Sequence, residues 1–232
     1  MTRHIIERVM SVLLILCFLL LSWQAARADG EKKKEEKSYR TVMVDPGHGG
    51  KDPGMVGTDG LEEKGINLDI SLKLKKRLEG KGFHVVLTRE TDEGLYDEQA
   101  ENKKLQDLER RIRLIEEESP DLVVSIHQNS YEDPSVRGPQ VFYYQGSEAG
   151  RKTAEIIQKS LNDGLNVQKP RTEKGNAGYY LLKNSTSVTV IAECGFLTNP
   201  DEARLLQDSG YQDRVAAALA EGIETSLLQS GL

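Results

Sequence analysis

The chain has 232 residues, of which 38% are hydrophobic and 29% charged, and a formal net charge of -6. That length allows one full domain, and the acidic balance excludes the broad basic surface of a nucleic-acid binder. No repeat of about 20–50 residues is visible, which excludes a solenoid or propeller.

The first residues read as a leader. Arg3, His4 and Arg8 precede an apolar run from Met10 to Leu21, and Ala26-Arg27-Ala28 fits a small-x-small cleavage signal. Residues 1–28 are therefore expected to be a secretory signal peptide. The apolar run is shorter than the roughly 20 residues of a bilayer span, and an uncleaved membrane anchor is the alternative. Both readings imply export across the cytoplasmic membrane. Without residues 1–28, which carry three arginines and one glutamate, the net charge is about -8. Cys17 lies in the apolar run, so Cys194 is the one remaining thiol and no intrachain disulfide is expected. Residues 29–39 are dominated by Lys and Glu and read as a solvated linker. Residues 40–232 form the expected domain.

Thr41-Val42-Met43-Val44 is a short β-prone run leading into Asp45-Pro46-Gly47-His48-Gly49-Gly50. The glycines let the backbone fold tightly around a bound group, so His48 reads as a metal ligand, a catalytic base or a plain turn residue. Ile66, Ile70, Leu74 and Leu78 form one helical stripe closed by Gly80. His84 to Thr88 is a strand, and Thr91 to Gln99 an acidic loop. Leu105, Leu108, Ile112 and Ile115 mark a helix that ends before Ser119-Pro120. Leu122 to Ile126 is a buried strand with His127 at its C-terminal end.

Val141 to Tyr144 is the next strand, and Ala154, Ile157 and Leu161 mark the next helix. Gly164 to Gly178 reads as a long polar connection, a length more often functional than accidental. Val188 to Ala192 is a strand leading into Glu193, and Asn199-Pro200-Asp201-Glu202 has the form of a capped helix start. Val215, Leu219, Ile223 and Leu227 line the last helix. This alternation predicts a single α/β domain, a mostly parallel twisted sheet with helices on both faces.

Ligands of such sheets gather beyond the carboxyl ends of the strands, where His48, His127 and Glu193 are expected. Two imidazoles and a carboxylate suit a catalytic zinc, which takes three protein ligands and keeps a fourth position for water. Glu62 and Glu63 precede the first helix, and Glu63 is positioned to supply the carboxylate; the alternative is a pair of solvated acids at a helix N-terminus. Glu193 ends an apolar run, where a carboxylate needs a partner. It reads as a catalytic group or as half of a buried ion pair. Cys194 should point to the opposite face and pack, and His84 and His4 stand apart. A serine nucleophile finds no Gly-x-Ser-x-Gly elbow, and the glycine loop lacks a Walker ending.

Val44 to Gly50, Glu63-Lys64, Ser125-Ile126-His127-Gln128-Asn129 and Glu193 to Pro200 resemble the motifs of the zinc-dependent N-acetylmuramoyl-L-alanine amidases of the Amidase_3 family. The resemblance runs from about Thr41 to the end, in the family's order and spacing. The short leader, the lack of wall-binding repeats, and the stretches Leu108 to Ile115 and Tyr211 to Val215 are similar to the germination-specific branch found in spore formers. Ile115-Glu116 departs from the Ala-Asn of many members, outside the metal motifs.

The resemblance implies that Zn2+ is held by His48, Glu63 and His127, with Glu193 catalytic. It implies a peptidoglycan substrate, cut at the amide between N-acetylmuramic acid and L-alanine. In the germination-specific case it further implies cortex maturation by muramic lactam formation, in the cell wall or spore cortex space. Membrane anchoring through the N-terminus and an activating or recruiting protein partner stay open. A non-catalytic wall-binding relative would be expected to lack the glutamate that is present here at position 193.

Overall fold

A computed structural model describes residues 39–57 and 60–229, together with residues 10, 15–16 and 19–23. Apart from those few positions and Tyr39, the expected leader and linker lie outside the described residues. Among the described residues no helix is long and apolar enough to cross a membrane. Residues from Thr41 onward form one unit.

Six strands make one sheet: β1 (Thr41–Pro46), β2 (His84–Leu87), β3 (Leu122–Asn129), β4 (Gln140–Tyr144), β5 (Lys174–Asn176) and β6 (Thr189–Phe196). Their spatial order is β2-β1-β3-β6-β4-β5. All neighbouring pairs are parallel except β4 with β6. A parallel return needs a crossover, usually a helix; residues 130–139 contain none, so β4 runs back antiparallel.

The helices are α1 (Glu63–Gly80), α2 (Lys103–Glu118), α3 (Glu148–Gly164), α4 (Tyr180–Asn184), α5 (Pro200–Gln207) and α6 (Ser209–Gln229). The stripe Ile66, Ile70, Leu74 and Leu78 buries α1 against Val42, Val44 and Val124 of the sheet. Each such side chain contributes about 1.5–3 kcal/mol when fully buried. The α3 and α6 stripes join the same core, and Cys194 packs into it. The opposite face carries α2 and α4, whose Ile115 and Leu181 meet Met43 and Val123. Successive residues of a strand face opposite sides, so the residues between the core-forming valines on β1 and β3 look towards α2 and α4.

The expected elements are present, with four differences. First, β6 does not stop at Ala192 but runs to Phe196, because Glu193 pairs with His127 on one side and Gln140 on the other. Glu193 and His127 thus lie within strands rather than just past them. Second, the connection after α3 contains the short edge strand β5. Third, the one-turn helix α4 is too brief to leave a periodic pattern. Last, Asn199 caps α5 by accepting from the Asp201 and Glu202 amides, but the Glu202 carboxylate turns away to accept from the Gly138 and Phe196 amides.

Candidate active site

His48 lies two residues beyond β1 with φ of 63°, a left-handed conformation that costs a non-glycine residue energy unless the surroundings hold it. Two buried arginines hold it here. Arg89 donates to the carbonyls of Pro46 (3.0 Å) and Gly47 (3.0 Å), and Arg111 to those of Pro46 (2.9 Å) and His48 (2.7 Å). Three consecutive carbonyls are therefore clamped, and the His48 ring turns back over the end of the sheet.

The ring is fixed at both nitrogens. Nδ1 lies 2.8 Å from Asp52 Oδ2, and Nε2 lies 3.2 Å from Glu63 Oε2. A carboxylate on Nδ1 orients the ring so that Nε2 faces the site, where it donates to Glu63 while the ring is protonated and offers its lone pair once the ring is neutral. Burial alone would lower the His48 pKa, but the neighbouring Asp52 and Glu63 raise it to about 9.

Glu63 is the first residue of α1 and only 3% exposed. Its Oε2 accepts from the Met55 amide (2.8 Å), and its Oε1 from the Gln128 amide (2.9 Å) and Asn67 Nδ2 (3.1 Å). His127 Nδ1 stands 3.0 Å from the same Oε1. Burial would raise the Glu63 pKa, but hydrogen bonds from His127 and His48 hold the carboxyl well below the usual range. One ligand atom from each of His48, Glu63 and His127 falls within 4.8 Å of the other two.

Two glycines make room for this cluster. A Cβ on Gly47 would sit 2.2 Å from His127 Cε1. One on Gly54, whose φ is +70°, would sit 2.5 Å from Glu63 Oε2 and 2.6 Å from His48 Cδ2. Any side chain at either position collides with the imidazoles or the carboxylate.

Glu193 is the register partner of His127 on β6, so both side chains leave the same face of the sheet. It is 8% exposed, and its Oε2 has no hydrogen-bond partner. Burial pushes its pKa up to about 7, against the pull of His127. Both residues line a cleft of about 430 Å³, with His48, Asp52, Glu63 and Tyr179.

Beneath the cleft Asp45 accepts from Thr88 Oγ1 (2.6 Å), Ser125 Oγ (2.6 Å) and Arg111. Burial would raise its pKa, but the Arg111 guanidinium and the two hydroxyls lower it from 3.8 to about 2. A carboxylate with a folded pKa below its unfolded value stabilises the fold above the unfolded pKa. That contribution is lost as pH falls through the folded one. About 2 kcal/mol of stability should therefore disappear between pH 4 and pH 2, and Asp45→Asn should flatten this part of the profile. Denaturant melts of both proteins across that range check it; parallel profiles would remove Asp45 as the source.

The structure brings together all four residues singled out in the sequence: His48, Glu63, His127 and Glu193. Glu62 stays outside, exposed and 3.3 Å from Lys64 Nζ. His84 is on the far edge strand, and Cys194 is buried on the opposite face with its thiol pKa raised by burial. Sequence reasoning missed Asp52, Arg89 and Arg111. Asp52, four residues after His48, could have been flagged as a carboxylate in reach of the ring; the arginines meet their carbonyls only through the fold.

Residues 42–225 match the Amidase_3 family, described as N-acetylmuramoyl-L-alanine amidase. Among curated proteins, the germination-specific N-acetylmuramoyl-L-alanine amidase of Bacillus subtilis (strain 168) is 34% identical over 221 residues, which cover 94% of this chain and 92% of that protein. Among solved structures, the CwlD amidase from Clostridioides difficile in complex with the GerS lipoprotein superposes with a TM-score of 0.79 at 36% identity. That match covers 82% of this chain and 98% of the other. An N-acetylmuramoyl-L-alanine amidase from Clostridium difficile 630 gives a TM-score of 0.75 at 30% identity, covering 84% of this chain and 100% of that one.

Proposed function

The chain belongs to the Amidase_3 family and is an N-acetylmuramoyl-L-alanine amidase, and from that premise we propose that it works with one zinc ion held by His48, Glu63 and His127 and with Glu193 as general base. The observation that carries this reading is the convergence of two imidazoles and a buried carboxylate beside a second carboxylate that has no partner on Oε2. The donor set fits zinc, whose catalytic sites take three nitrogen or carboxylate ligands. The fit is supported further by Asp52 on the outer nitrogen of His48, and by the space that Gly47 and Gly54 leave around the cluster. Bound zinc would supply a Lewis acid for the scissile carbonyl and acidify a water towards a pKa of about 7.

The chain's own groups do the rest. Glu193 takes a proton from water as its oxygen adds to the lactyl carbonyl carbon, and returns that proton to the alanine nitrogen as the C–N bond breaks. The products are a muramic acid lactyl carboxylate and a free L-alanine amine. A pKa near neutrality suits both halves of that exchange. Asp52, Asn67 and the clamped carbonyls hold the ligands still during turnover.

The B. subtilis relative supports a role in the spore cortex, where removing the stem peptide would prepare muramic acid for lactam formation before germination. Residues 1–28 would direct export to the cell wall or cortex space, as a cleaved signal or as an anchor, and residues 29–39 would tether domain 40–232. The complex formed by the C. difficile amidase supports a protein partner that recruits or activates this chain as well. Metal analysis of the purified protein, paired with release of L-alanine amino termini from peptidoglycan, tests the core of the proposal. Stoichiometric zinc and chelator-sensitive release are expected; release that survives full removal of metal would overturn it.

Gly47→Ala offers a second check. Its Cβ would overlap the His127 ring, so zinc affinity should fall on the order of 10–100-fold while the metal-free protein melts as a folded domain. An unchanged affinity would take His127 out of the ligand set.

A further inference from the structure

The cleft is walled by acids. Asp45, Asp52, Glu63, Asp107 and Glu193 line it, against two basic residues besides the histidines, Arg111 and Lys104. Arg111 is committed: it is 2% exposed, paired with Asp45 and Asp107 and bonded to the Pro46 and His48 carbonyls. Lys104 is exposed and makes no ion pair within 4 Å among the described residues, and its charge reaches only Asp52, across the cleft, at longer range. Its neighbour Lys103, by contrast, closes on Glu98 at 2.8 Å and lies 5.5 Å from the Tyr96 ring centre.

The place of Lys104 on α2 is also unfavourable to the helix. It is the second residue, where the helix dipole favours an anion, and the first turn carries no acidic side chain to offset it. A lysine kept at a helix N-terminus with no close ion-pair partner, its charge acting only at longer range on Asp52 of the same cleft, breaks a local rule for little structural return. Such breaks mark functional positions.

We infer that Lys104 is a specificity residue that binds a carboxylate of the stem peptide, borne by the residue that follows L-alanine. This rests on the amidase reading above. The bond to be cut lies beside Glu193, and the peptide continues from it by one residue at a time, so the next side group comes within reach of the cleft wall. In a stem peptide that residue is a glutamyl unit whose carboxylate is either free or converted to the carboxamide. An ammonium on a flexible four-carbon stem attracts the free acid in many poses and gains little from the neutral amide. Lys104 then supplies the cation that an otherwise acidic cleft needs to accept an anionic peptide.

The experiment compares two muropeptides that differ only in that carboxylate, free or amidated, with zinc-loaded wild type, Lys104→Met, Lys104→Arg and Lys104→Glu. Wild type should show a KM about three- to tenfold lower for the free acid, the range of an exposed to half-shielded charge pair. That preference should shrink as salt is raised. Lys104→Met should erase it, Lys104→Arg should keep most of it, and Lys104→Glu should reverse it. A merely structural lysine would alter both substrates alike. Equal KM values in the wild type, or a preference that survives in Lys104→Met, would overturn this inference alone. Failure of the wild type to cut either muropeptide would overturn the amidase reading, and this inference with it.

Discussion

Glu193→Gln is expected to give a folded, zinc-loaded protein whose turnover is lower by roughly 10²–10⁴-fold, the usual cost of a lost positioned acid–base group. Glutamine keeps the shape and size of the side chain but cannot take a proton. A buried carboxylate at this position could instead be half of an ion pair, and then the same change would cost several kcal/mol of stability. The surroundings favour the first outcome. Among the described residues no lysine or arginine pairs with Glu193, and its Oε2 lies buried without a hydrogen-bond partner. The first cause of its raised pKa is burial, and the nearest charges are those of the cluster itself: His127, Glu63 and His48. Three measurements on one preparation decide the matter: zinc content, thermal melting and release of L-alanine amino termini. A folded, zinc-loaded variant with near-normal turnover would rule out the catalytic role.

How much of this was legible in the sequence depends on the range of the interaction concerned. His48 could be picked out because glycines and a proline surround it within a few residues, and Glu193 because an apolar strand runs into it. The helices from Glu63 and Ser209 carry stripes that need no knowledge of the rest of the fold. Contacts made across the sheet leave no such trace. Ser125 reaches Asp45 over 80 positions, and Arg111 reaches it over 66. In the sequence those residues look like an ordinary strand serine and one more helix arginine. The antiparallel β4 was equally hidden, since its direction follows from a missing crossover and not from its own composition. The sequence pattern puts Glu193 just after the strand instead of inside it, because a charged residue normally ends an apolar run. Here the ladder continues through it, and its polar end is free for chemistry.

The choice between Glu62 and Glu63 is where spacing alone says least and the structure most, and Glu63→Ala should lower zinc affinity by more than the roughly 10–100-fold typical of losing a supporting partner. Glu62→Ala should change it little. Both are acids at the head of α1, yet only Glu63 turns inward, to within 3.2 Å of His48 Nε2 and 3.0 Å of His127 Nδ1. The Glu62 side chain is about half exposed and leans on Lys64 at 3.3 Å. Removing the Glu63 carboxylate also leaves the Met55 and Gln128 amides and Asn67 Nδ2 without their acceptor, so part of any loss could come from a loosened loop. Glu63→Gln separates the two effects: it retains one acceptor oxygen for those donors but removes the charge. Zinc affinity measured by competition with a chelator, alongside melts of the metal-free proteins, should therefore show Glu63→Gln better folded than Glu63→Ala and still far weaker for metal than wild type. If Glu62→Ala proved the damaging change, the carboxylate ligand would belong one residue earlier, and α1 would have to begin with its outward acid turned in. The three donors that converge on Glu63, and not on Glu62, argue against that outcome.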